Sequence, residues 1–105
     1  MWKKHVLKKN WEFKVIISNE KQIVTKSLIL YYKKSFNDLR IGISVSKKFA
    51  GAVLRNKYRR QVRNILKKLN IWHLKYDVVI ILRKPFLTFN FPQKTEMLKK
   101  AFERL

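Results

Sequence analysis

The chain has 105 residues, enough for one domain over 1–105 with its own core and too few for a second. Its 26 lysines and arginines stand against 6 acids, a formal charge of +20, and that self-repelling excess calls for a polyanionic partner, either nucleic acid or an anionic membrane surface. The absence of cysteine excludes disulfides and thiolate metal sites, the two distant histidines and scattered acids make no protein metal site, and a hydrophobic content of 47% argues against disorder.

Taken in chain order, the basic start (1–9) is followed by no apolar run of signal-peptide length. Leu7, Trp11 and Val15, with Phe13, Ile16 and Ile17, recur at roughly helical spacing and predict a helix over 9–17, with Ser18 and Asn19 at its exit. Residues 22–34 are rich in β-branched and aromatic side chains (Ile23, Val24, Thr25, Ile29, Tyr31, Tyr32) and read as one long strand or two short ones. A polar turn at 35–38 follows.

Residues 40–46 alternate strictly. Ile41, Ile43 and Val45 share one face, which should meet the core; Gly42, Ser44 and Ser46 share the other. That second face would let a backbone or ligand come close, although the alternation taken alone favours a plain solvated face. A basic loop (47–51) leads into the strongest helix, over 52–69, whose apolar stripe is Tyr58, Val62, Ile65, Leu66 and Leu69. Residues 75–83 form a strand, apolar on both faces at 78–82, as a central strand would be. That run is also the longest apolar one and far too short to span a bilayer, so a soluble, cytoplasmic protein is expected. Pro85 ends the strand. Asn90 and Gln93 make a capping box and Pro92 suits a first turn, opening a last helix over 91–104.

The order α-β-β-β-α-β-α predicts an α+β sandwich with helices flanking a small mixed sheet. A right-handed β-α-β crossover is the default for such a connection.

The helix over 52–69 carries seven Lys or Arg residues and no acid. At 100° per residue, Asn56, Arg59, Arg60, Arg63 and Lys67 fall within one broad face bordered by Arg55, opposite the apolar stripe. Guanidinium forks can hold two phosphate oxygens and can stack on a base. Asn56 adds a donor and an acceptor suited to a base edge or a ribose hydroxyl. Lys47 and Lys48 lie just before the helix, where free backbone N–H groups favour an anion. A face serving only solubility would mix in acids at i,i+4 spacing, yet no acid occurs between Leu39 and Tyr76. This charge is not confined to one amphipathic helix, which favours nucleic acid over a membrane surface.

The run RIGISVSKKFAGAVLRNKYRR (40–60) resembles the signature of the ribonuclease P protein family: a strand ending in Ser-x-Ser-Lys-Lys, a short loop with glycine, Ala-Val, then Arg-Asn-Arg and further basic residues. Residues 7–13 and 76–85 resemble it too, so the likeness covers nearly the whole chain. Two positions depart from it. Lys57 replaces the second arginine of Arg-Asn-Arg, keeping charge but losing bidentate geometry, and Ala50-Gly51 stands where Gly-Asn is more usual.

The resemblance implies a left-handed β-α-β crossover in place of the default. It implies a role in removing the 5′ leader of precursor tRNA, with hydrolysis performed by a catalytic RNA subunit holding Mg²⁺, and one protein per RNA. No residue set here supplies catalysis or a metal site of its own. Two RNA surfaces follow. Lys47, Lys48, Arg55, Asn56, Lys57, Arg59, Arg60, Arg63 and Lys67 would face the ribonuclease P RNA. A cleft between the first helix and the sheet would hold the single-stranded leader, lined by Phe13, Ile17 and Tyr31 over a floor of Ser44 and Ser46. Without the resemblance, Phe13 and Tyr31 read as ordinary core residues. Ile17 stands where an aromatic is commoner, which weakens stacking there.

Overall fold

The computed structural model describes residues 5–7, 9–19 and 21–105. Much of the basic start, residues 1–4 and Lys8, therefore lies outside the described residues. The elements are α1 (Asn10–Ser18), β1 (Gln22–Val24), β2 (Leu28–Lys34), β3 (Arg40–Val45), α2 (Ala52–Lys67), β4 (Tyr76–Leu82), α3 (Lys84–Thr88) and α4 (Phe91–Glu103).

One mixed sheet runs in the order β1-β2-β4-β3. β4 is central, antiparallel to β2 and parallel to β3, with Val79 opposite both Tyr31 and Gly42. Its apolar run at 78–82 is explained by this position, since both faces are covered. α2 links the parallel neighbours β3 and β4 and forms the β-α-β unit.

Alternation assigns the two faces. Leu28, Leu30, Ile41, Val45, Val78, Ile80 and Leu82 turn to the main core, where Val62, Ile65 and Leu66 of α2, Phe86 of α3 and Leu98, Ala101 and Phe102 of α4 meet them. The opposite face is covered by α1. There Val79 packs with Ile16 and Leu7, and Phe13, Ile17, Tyr31 and Ile81 flank them. The result is a three-layer arrangement: α1, the sheet, then α2 and α4.

The sequence pattern leaves residues 22–34 open between one strand and two, and it predicts no helix at 84–88. The stretch 22–34 is two strands, because the Thr25 hydroxyl donates to the Leu28 carbonyl at 2.9 Å and accepts the Leu28 N–H at 3.0 Å, closing a tight turn. Pro85 does more than end a strand: it sits in the first turn of α3, where a fixed φ suits the helix, and the fully buried Phe86 anchors that turn.

The N-terminal segment extends the edge of the sheet. Val6 bridges Ile41 in parallel register and the Leu7 N–H donates to the Ile41 carbonyl at 3.0 Å. His5 is buried, its Nδ1 2.6 Å from the Leu39 carbonyl oxygen and its ring tilted against Trp72. α1 is moored by an ion cluster. Arg40 donates through Nε and Nη2 to both carboxylate oxygens of Asp77 (3.0 and 2.9 Å) and through Nη1 to Glu12 Oε2 (3.0 Å). These partners, the Asp77 hydrogen bond foremost, raise the pKa of the guanidinium against the opposing effect of burial.

Candidate nucleic-acid interface

α2 is amphipathic as its sequence dictates. Val62, Ile65 and Leu66 are buried while Asn56, Lys57, Arg60 and Lys67 are exposed. Arg59 and Arg63 are half-buried, and Arg59 Nη1 donates to Asn56 Oδ1 at 2.9 Å, one turn back. That bond orients a guanidinium which would otherwise sample many rotamers.

The half-buried arginines face a cleft of about 440 Å³. Asn10 and Phe13 of α1 form one wall, Gly42, Ile43 and Ser44 of β3 the floor, and Asn56, Arg59 and Arg63 of α2 the other wall. The phenyl ring of Phe13 lies directly on Gly42, where no side chain intervenes. An aromatic plate, a hydroxyl and two guanidinium groups thus converge. Such a set can stack an unpaired base, meet a sugar or base edge and bind phosphate.

The sequence-derived residues divide accordingly. Phe13, Ser44, Asn56, Arg59 and Arg63 come together in this cleft, so the two expected RNA surfaces share it. Ile17 and Tyr31 are not among its lining; they pack half-buried beside Ile16 and Val79, farther along α1. Ser46 shapes the loop instead, its hydroxyl accepting the Lys48 N–H at 3.2 Å. Lys47 and Lys48 are exposed on that loop, ahead of α2. Arg55 lies seven residues from Val62 and eleven from Leu66, which places it on the same arc as those core residues. It is half-buried, and its Nε is enclosed without a hydrogen-bond partner among the described residues.

One residue beneath the interface escaped the sequence reading. Lys94 of α4 is only 5% exposed and faces α2. Its Nζ donates to Gln61 Oε1 at 2.9 Å and lies 5.2 and 5.5 Å from the ring centres of Tyr58 and Phe86. Burial pushes its pKa below the ordinary 10.5, and the positive charge of Lys57 adds to the shift. The signal was available, since Lys94 shares a helical arc with Leu98 and Ala101.

The carboxylates are a poor fit to a protein-held Mg²⁺. Glu12 and Asp77 are engaged by Arg40, and no group of three or more potential metal-ligating residues occurs among those described. Nor, among the described residues, is any helix long and apolar enough to cross a membrane.

Comparison with known proteins bears on the family and the fold. A family model described as Ribonuclease P matches residues 1–105. The ribonuclease P protein component of Mycoplasma mobile is 48% identical over 105 residues, covering 100% of this chain and 93% of the relative. That of Mesomycoplasma hyopneumoniae (strain 7448) is 50% identical over 109 residues, covering 100% and 96%. Among solved structures, the Staphylococcus aureus RNase P protein superposes with a TM-score of 0.84 at 30% identity, covering 94% of this chain and 93% of that one. The Thermotoga maritima protein gives 0.83 at 29%, covering 94% and 96%. With the match spanning the whole chain in sequence and fold, this chain belongs to the ribonuclease P protein family, the protein component that works with a catalytic RNA subunit in the endoribonuclease that matures tRNA 5′ ends.

Proposed function

We propose that the cleft between α1, β3 and α2 grips the single-stranded 5′ leader of precursor tRNA while the exposed cations of α2 and its preceding loop hold the ribonuclease P RNA. The observation that carries this reading is the convergence of Phe13, seated on Gly42, with Asn56, Arg59 and Arg63 around one cleft. Phe13 offers a stacking plate, with Ile17 and Tyr31 extending the apolar surface beyond it. Ser44 and Asn56 supply hydrogen-bonding groups at the floor and wall. Arg59 and Arg63 neutralise phosphate where leader and RNA subunit approach each other. Lys47, Lys48, Lys57, Arg60 and Lys67, all exposed, extend the contact to the RNA subunit, with the half-buried Arg55 at its margin.

In this reading the protein positions and the RNA cuts. Mg²⁺ is held by the RNA subunit and supplies the charge stabilisation of phosphodiester hydrolysis. The protein lowers the Mg²⁺ requirement by offsetting phosphate repulsion and raises substrate affinity by fixing the leader beside the cut site. One protein serves one RNA subunit, in the cytoplasm where tRNA precursors are processed.

Reconstitution with a bacterial catalytic RNA at low Mg²⁺ tests the proposal. Cleavage of precursor tRNA should rise sharply on adding the protein and converge with the RNA-alone rate at high Mg²⁺. Equal rates with and without protein at low Mg²⁺ would reject the positioning role.

A further inference from the structure

α1 has two flanks, and only one faces the leader cleft. Its sheet-facing side buries Ile16, and Phe13 lines the cleft on one flank. Trp11 and Val15, four residues apart and so one turn above each other, lie on the opposite flank. Trp11 is 61% exposed and Val15 42%. They border a separate hollow of about 140 Å³ that also takes in Lys33 and the Arg40–Asp77 pair. The two acids at this hollow, Glu12 and Asp77, are both bonded to Arg40. Lys33, exposed near the end of β2, lies directly across the ladder from Asp77, whose two carboxylate oxygens are both taken by Arg40.

An exposed indole on a rigid ledge with a lysine at its edge fits one kind of partner in a chain of this charge. The polyanion that also carries flat apolar faces is single-stranded nucleic acid. A membrane would need more than one indole and one valine of apolar area on a short helix.

We propose that the Trp11–Val15 flank of α1, with Lys33, is a second contact for unpaired RNA, stacking a base on the indole and placing a neighbouring phosphate beside the lysine. It rests on the reading of this chain as an RNA-binding protein and adds a surface on the side of α1 away from the leader cleft. The occupant is the single strand that leaves the cleft across α1.

The test uses the full chain carrying Trp2→Phe and Trp72→Phe, so that Trp11 alone emits. It is titrated with a dye-labelled, unstructured RNA decamer at fixed ionic strength. Trp11 emission should fall saturably with the same midpoint as the anisotropy of the labelled RNA, and adding Phe13→Ala should leave the quench amplitude intact. In the otherwise native chain, Trp11→Ala should weaken decamer binding at least about fivefold, the low end for a base–aromatic stack, and Trp11→Phe should restore most of it. RNA binding by anisotropy with unchanged Trp11 emission and a silent Trp11→Ala would overturn the proposal while leaving the cleft reading in place. A blue shift with anionic vesicles and no response to RNA would assign the flank to a membrane and overturn it too. Absence of RNA binding by anisotropy would overturn both readings.

Discussion

The ring of Phe13 occupies the space that a side chain at residue 42 would need: a Cβ built on Gly42 falls 2.4 Å from Phe13 Cζ. The glycine is therefore part of the cleft, because it lets an aromatic ring lie on the strand itself. Gly42→Ala should drive the ring outward. Phe13 is only half-buried and can swing, so the stability cost should stay near 1–2 kcal/mol, at the lower end for overpacking. Leader recognition should suffer more. The preference of the reconstituted holoenzyme for leader-bearing over leaderless tRNA should fall several-fold, and an unaltered preference would remove Phe13 from the site.

Arg40 ties α1 to the sheet through two carboxylates whose side chains are each only 14% exposed. Replacing it with methionine leaves both acids without the guanidinium that bridges them. Arg40→Met should cost about 2–4 kcal/mol in urea unfolding, as removal of one partner from a largely buried ion cluster does. A loss below 0.5 kcal/mol would show that packing of Ile16 alone seats α1.

Lys94 gives the fold a pH dependence of defined sign. Its folded pKa lies below the 10.5 of the unfolded chain. Between the two values the unfolded state binds more protons, so stability from this group rises with pH through the folded pKa and levels off above 10.5. At neutral pH the burial penalty is present in full. All lysines lose charge in the same range, so the readout is a difference. Melting temperatures of wild type and Lys94→Met, followed from pH 7 to 11, should show the wild type gaining on the variant as pH rises. Parallel curves would contradict the buried, charged state.

In the proposed function Arg59 and Arg63 contact phosphate. Their double replacement by alanine should weaken binding to the ribonuclease P RNA and reduce the slope of log K against log salt by about 1–2, since each lost phosphate contact removes roughly 0.7–0.9. An unchanged slope would mean that these side chains serve the cleft by packing only.

Elements set by local pattern were legible in the sequence. The stripe Val62–Ile65–Leu66, the two-sided apolar run of β4 and the Asn90–Gln93 box all stand as read, the box with Asn90 Oδ1 accepting the Gln93 N–H at 2.9 Å. What depends on distant residues was not. Arg40 finds Glu12 and Asp77 across 28 and 37 residues, a pairing no local spacing encodes. The break at Thr25, left open between one strand and two, turns on one local hydroxyl, whereas α3 depends on the room that lets Phe86 enter the core. Arg55 and Lys94 were legible in principle, because each shares the apolar arc of its helix, but their charge suggested an outward position. The expectation of a leader cleft came from family resemblance; the strand alternation alone favoured a solvated face, and only the fold brings Phe13 and Arg63 to one cleft.

The most direct measurement is photo-crosslinking from the leader. A precursor tRNA carrying a photoreactive nucleotide a few positions upstream of the cut is bound to the reconstituted holoenzyme, irradiated, and the attached peptides are mapped. Crosslinks should fall on residues 10–17 and 40–46, vanish in excess leader-bearing competitor and persist with leaderless tRNA. Crosslinks on the outer face of α4, or none to the protein under conditions where the leader is protected, would contradict the account.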